Sequence, residues 1–299
     1  MKPQSTQDPA QLPGGPAAPA PRTAEPAGGF PDPCVPALLT PQERAARFAR
    51  LCAEAMRERR GSGEAGIGTL AEKWLHRIVK RYLTDDPAQC ETRLPGTRYI
   101  PDVRIGQSVY EVQTGAFAPM REKLRYYLEQ TDLSVTVVRP VAQNRWVSLI
   151  DPRTQEISPR RRSPRHGRAE ELLPELYGIL PFPGHPRLRF LLLMLEVYDF
   201  RLAPPPGRRG GRARFERIPL SLLGELSLHT PSDFARFVPP ALPSPFTVRQ
   251  FSALSRLRGL DAYSAVRVLA SLGLLLPAPP VGRAMAFFPA PGTADGGER

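Results

Sequence analysis

Proline sets the first limit on this chain. Of its 37 prolines, 11 fall within the first 41 residues. A residue with a fixed φ and no backbone N–H cannot sustain a helix interior or a central strand. Residues 1–40, rich in Pro, Ala and Gly, therefore read as a disordered tail, and residues 291–299 as a second one. What remains is ample for a core. The chain has 299 residues, 41% hydrophobic and 23% charged, enough for one large domain or two modest ones. No run of 18 apolar residues exists, which argues against a membrane span. The opening Met-Lys-Pro-Gln has no apolar segment of a secretory signal. Cys34, Cys52 and Cys90 are too few and too scattered for a disulfide framework or a zinc cluster, which fits a reducing, cytoplasmic setting.

The formal net charge is +12, and a basic soluble protein suggests a polyanion partner: DNA first, RNA second. A second copy of the chain is the other candidate partner; a membrane is not one. The competing explanation is compositional, a genome that writes Arg, Ala, Pro and Gly throughout. Only Lys2, Lys73, Lys80 and Lys123 among the 41 cations are lysine.

Past the tail, the spacing of apolar residues predicts a helix from Pro41 to about Arg60. Phe48, Leu51, Cys52 and Met56 share one of its faces. Thr69 and Glu72 form a capping-box pattern that opens a second helix to about Leu83. A hairpin follows, Arg98–Arg104 and Ser108–Thr114 around Gly106-Gln107, then a helix from about Ala118 to Gln130. Leu133–Val141 reads as a strand with Arg145–Ile150 as its partner. Residues 152–168 are a basic loop, 169–177 a short helix and Leu188–Leu202 a long apolar strand. The order implies an α/β layered domain. Near the C-terminus Thr247 and Gln250 open a helix, Gly259-Leu260-Asp261 turns with Asp261 capping the next helix, and a hairpin closes the chain. These are the parts of a winged helix. The expected domains are 41–202 for the layered core with its N-terminal helix, 203–229 for a linker and strand region, and 230–290 for the winged helix.

The hairpin carries the chemistry. Residues i and i+2 of a strand share a face, so Glu111 and Gln113 are neighbours and the turn can bring Asp102 beside them. Two carboxylates with an amide or backbone carbonyl oxygen suit a hard divalent cation, and Glu72 could add a third carboxylate. Elsewhere Arg160, Arg161, Arg162, Arg165 and Arg168 could grip phosphates. In the winged helix, Tyr263, Ser264, Arg267 and Ser271 would be exposed, and Arg267 could reach a base edge or phosphate.

Pro101-Asp102, eight residues, then Glu111-Val112-Gln113, flanked by helices, resembles the PD-(D/E)xK nuclease superfamily with its restriction-endonuclease-like fold. The resemblance implies Mg²⁺ (or Mn²⁺) held by Asp102 and Glu111 with help from Glu72 and the Val112 carbonyl, and hydrolysis of DNA phosphodiester bonds. The superfamily usually has Lys where this chain has Gln113. Some members carry Gln there, and in others the Lys moves to the following helix, where this chain has Lys123. The stretch from Ile67 to His76, the Glu-Val-Gln-Thr strand and the terminal winged helix also resemble an uncharacterised bacterial domain of unknown function. Each residue has an ordinary reading beside the chemical one. Glu72 completes a capping box, Asp102 starts a turn, Glu111 and Gln113 line a solvated strand face, and Lys123 is a helix surface charge. A protein that kept the fold and only binds nucleic acid, without catalysis, is the alternative function.

Overall fold

A computed structural model describes residues 32–61, 71–204 and 214–292. It shows an α/β protein with a mixed sheet between two helical layers. The first layer is α1 (Pro41–Gly61) and α2 (Ala71–Leu83). Thr40 and Glu43 cap α1 reciprocally, each side chain meeting the other's backbone N–H, the geometry that satisfies the free amides of a helix start. The Thr69 cap predicted for α2 lies outside the described residues, as does the side chain of Glu72.

The sheet runs β1 (Val103–Ile105), β2 (Ser108–Val112), β3 (Ser134–Ile150), β5 (Leu188–Leu202) and β6 (Arg214–Leu228), with the two-residue β4 (Arg161–Arg162) paired to β3. β2, β3 and β5 are parallel; β1 and β6 close the edges antiparallel. Phe48, Ile78, Val79 and Tyr82 bury one sheet face with Tyr110, Val112, Val138 and Leu193. The other face, with Val109, Val135, Val137, Phe190 and Leu192, is buried under α3 (Arg121–Gln130) and α4 (Leu172–Tyr177).

Three expectations need correction. Leu133–Val141 and Arg145–Ile150 are not partners; they are one strand, β3, paired to β5 throughout with a bulge between Ala142 and Asn144. The polar Ala142-Gln143-Asn144 text looks like a turn, but one extra residue is absorbed by a bulge without reversing the chain. The N-cap of the last helix, α7 (Leu260–Ser271), is Gly259, with φ of 54°, and Asp261 sits inside the first turn. Finally, the segment just before α1 is packed: Cys34 is buried, the Tyr110 hydroxyl donates to Asp32 at 2.7 Å, and Arg189 also pairs with Asp32. Residues 32–40 thus sit on the core despite their prolines, because a proline-rich segment can still donate side chains to a surface that other elements build.

Beyond β6 come α5 (Pro231–Phe234), β7 (Phe246–Thr247), α6 (Val248–Ser255), α7, β8 (Leu275–Val281) and β9 (Ala284–Pro289), with the small sheet ordered β7-β9-β8. β8 continues through residues 277–281, and Gly282, at φ of 62°, makes the turn of the closing hairpin. Phe246, Phe251, Val266 and Leu269 belong to the same core cluster as Leu176, Phe190 and Phe234. Among the described residues, no helix is long and apolar enough to cross a membrane.

Candidate functional site

The hairpin and α3 assemble the site at the edge of the sheet. Asp102 stands just before β1, where its carboxylate accepts the Val112 N–H at 2.7 Å. A side chain here replaces the backbone partner that the short β1 no longer supplies. On its other side, His76 of α2 lies 3.4 Å from the same oxygen. Burial opposes ionisation of Asp102, but the His76 ring, the Val112 N–H and Lys123 outweigh it and hold the carboxyl below its ordinary range.

Glu111 is the buried acid. It sits in β2 with its side chain under α3, only 6% exposed. The Tyr127 hydroxyl donates to one oxygen at 2.9 Å, and the Lys123 ammonium to the other at 2.7 Å. Tyr127 and Lys123 are four residues apart on α3, one above the other on the same helix face. Burial is the main cause that pushes the Glu111 carboxyl up, to about 7, against the pull of Lys123; the negative charge of Asp102 adds to the rise. Lys123 also donates to the Ile100 carbonyl at 2.7 Å. The ammonium also lies 2.7 Å from the second Glu111 oxygen, so its three N–H groups face the carboxylate and this carbonyl.

The structure therefore brings Asp102, Glu111 and Lys123 together. Gln113 follows the last residue of β2 and turns its amide nitrogen to the Ala116 carbonyl at 2.5 Å. Glu72 lies one turn before His76 on α2, with its side chain outside the described residues. Sequence reasoning missed Tyr127, and it did not link His76 to Asp102. The four-residue step from Lys123 to Tyr127 is the signal that could have found the first.

Two carboxylates at one strand end suit a hard cation that keeps several of its own waters. In this structure both oxygens of Glu111 are held by protein donors, Tyr127 and Lys123. Among the described residues, no cluster of three or more His, Cys, Asp or Glu side chains is arranged to hold a metal ion.

The arginines of the loop gather beside the far half of β3. Arg161 and Arg162 form β4, and Arg160 lies over the Trp146 ring, 4.2 Å from its centroid. Arg160, Arg161, Arg162 and Arg165 are exposed. On α7, Arg267 and Ser271 are exposed as expected, whereas Tyr263 and Ser264 are half-buried, Tyr263 packing edge-on against Tyr177 of α4. Cys34 and Cys52 are buried free thiols whose pKa values burial pushes up to about 12, so both are poor nucleophiles.

A family described as Domain of unknown function (DUF8091) matches residues 73–229. That span contains the hairpin, α3, β3 to β6 and the arginine loop. No curated protein and no solved structure matches the chain.

Proposed function

The chain belongs to this DUF8091 family, and we propose that it is a metal-dependent phosphodiesterase acting on nucleic acid, with DNA as the first substrate. The core would be restriction-endonuclease-like and the β7–α6–α7–β8–β9 unit a winged helix. One observation carries the proposal. Lys123 of the helix after the hairpin stands 2.7 Å from Glu111, so an ammonium reaches the acid pair although the strand itself offers Gln113. Asp102 and Glu111 would hold Mg²⁺ or Mn²⁺. A cation bound there supplies Lewis-acid stabilisation of a phosphoryl oxygen and lowers the pKa of a coordinated water. Asp102 stays ionised through its Val112 and His76 contacts. Lys123 would turn its ammonium charge to a phosphate oxygen, where negative charge builds as the bond to the leaving oxygen breaks. Tyr127 keeps Glu111 oriented. Arg160, Arg161, Arg162 and Arg165 would grip the backbone.

The test is incubation of the full chain with labelled DNA and RNA in Mg²⁺, Mn²⁺ or chelator. Cleavage should need the cation and fall at least a hundredfold in Asp102→Asn and in Lys123→Ala. The Asn side chain can still accept from Val112 through its carbonyl oxygen, so loss there reports on charge rather than fold. No cleavage under any condition, with binding retained, would overturn hydrolysis and leave the second reading, a non-catalytic nucleic-acid-binding protein. A specific observation favours that alternative: both Glu111 oxygens are already engaged by protein donors, and the Gln113 amide nitrogen donates to a backbone carbonyl.

A further inference from the structure

A polar cleft of about 570 Å³ opens between the arginine loop, α4 and the turn joining α6 to α7. Arg139, Arg165, Arg168, Arg256 and Arg258 line it. They come from three separate stretches of chain, and only some were legible as a basic run. Its walls are built structures. Gly167 donates its N–H to the Ala142 carbonyl at 2.9 Å, beside the β3 bulge, and His166 contacts the Gln143 carbonyl at 3.0 Å. These contacts clamp the loop onto the strand. Arg168 then reaches across to the Arg256 carbonyl at 3.4 Å and ties the loop to the far wall.

The cleft also adjoins the candidate site. Arg139 donates to the carbonyls of Gln113 and Gly115, the residues that follow β2 and Glu111. Three carboxylates, Glu171, Glu175 and Asp261, share the lining. Glu175 is already occupied: it accepts the Phe117 N–H at 3.2 Å and lies 3.8 Å from Arg139. Arg165, Arg256 and Arg258 are exposed and have no side-chain hydrogen bond or ion pair with a described residue.

We propose, building on the phosphodiesterase reading, that this cleft is the track for a nucleic-acid backbone, and that the C-terminal unit contributes to it through its α6–α7 turn rather than through the exposed face of α7 at Arg267. Five guanidinium groups outnumber the three carboxylates. The space is far larger than one phosphate needs. Arg160, Arg161 and Arg162 continue the cations along the same loop beyond the cleft. A small anion would use one or two of these groups; a polymer with a phosphate at each nucleotide uses them in series, releasing counterions at each contact.

The experiment is fluorescence-anisotropy binding by the full chain, in chelator, of three 20-residue probes: duplex DNA, single-stranded DNA and single-stranded RNA. Two triple variants remove the same charge. One is Arg165→Gln, Arg256→Gln and Arg258→Gln; the other is Arg249→Gln, Arg267→Gln and Arg283→Gln, outside the cleft. All six positions are exposed, and a thermal melt confirms that each variant folds. The cleft triple should weaken binding at least tenfold and flatten the salt dependence of log Kd on duplex DNA by roughly 0.9 per lost phosphate contact. The other triple should stay within twofold of wild type. The preferred probe identifies the polymer. Equal weakening by both triples, weakening only by the second, or no binding by the wild type would overturn the cleft assignment. Cleavage in Mg²⁺ is scored separately. A wild type that binds through the cleft but never cleaves would sink hydrolysis alone, and cleavage indifferent to the cleft triple would sink the track alone.

Discussion

Glu111 shows how one residue can be both costly and useful. Its carboxyl is buried, and its pKa is pushed up to about 7 from an unfolded value near 4.5. Between these two values the folded chain holds a proton that the unfolded chain has lost, so stability falls as pH rises through the window. Below the window the residue is protonated in both states and costs nothing. Above it the full cost applies, up to about 3 kcal/mol from the size of the shift. Glu111→Gln should therefore melt close to wild type near pH 4.5 in chelator and gain on it steadily towards pH 8. A stability difference that does not change with pH would contradict a buried, charge-strained carboxylate. Addition of Mn²⁺ at pH 8 should raise the melting temperature of the wild type and leave Glu111→Gln nearly unmoved, because the variant lacks one of the two carboxylates that would hold the cation.

At the scale of elements, the long strands β3, β5 and β6 extend past the helices and need another way to close their far end. They do so with Asp199, fully buried on β5. Arg217 of β6 grips it through two bonds of 2.7 and 2.9 Å, while Arg145 of β3 and Arg201 stand 3.4 Å away. Burial opposes ionisation, yet the arginines outweigh it and hold the Asp199 carboxyl below its ordinary value of 3.8. Its stabilisation is present above that value and is lost as pH falls through the folded pKa. Asp199→Asn should cost about 2–3 kcal/mol at neutral pH, since the half-buried guanidinium groups lose their buried counter-charge, and the deficit should shrink only below about pH 3.8. A second element-scale device is Gly167, where an added Cβ would stand 2.7 Å from the Ala142 carbonyl oxygen. Gly167→Ala should destabilise by about 1–3 kcal/mol through this overlap. By loosening the clamp it should also weaken nucleic-acid binding. Wild-type melting by Gly167→Ala would mean that the loop yields freely and that the cleft wall is not rigid.

For the molecule as a whole, the decisive fact is that the C-terminal helices share a core cluster with one sheet face. Phe251 is fully buried in that cluster, stacked near Phe246, while Leu272 lies under Gly184 in the loop before β5. Deleting residues from Pro239 onward would uncover α4 and the sheet as well as remove the small sheet, so truncation is a poor probe of what this unit does. Phe251→Ala should cost about 3–5 kcal/mol and lower a single cooperative transition seen alike by circular dichroism and tryptophan fluorescence. Two separated transitions would show that the units fold independently despite their shared contacts.

The sequence by itself determined the main helices, the hairpin turn and the placing of Asp102 and Glu111 on its two arms, because those rest on local period, capping residues and a tight turn, all short-range. Lys123 was legible as a lone lysine on the right helix, since composition made it conspicuous. Only the tertiary structure decided that Ala142–Asn144 is a bulge and not a turn, that residues 32–40 dock on the core, and that β6 closes the sheet through Arg217 and Asp199. Each depends on a partner far along the chain whose presence leaves no local periodicity. The same holds for the cleft. Arg139, Arg256 and Arg258 are scattered among 41 cations, and what sets them beside the arginine loop is the packing of α7 against α4, which brings three distant stretches of chain around one opening.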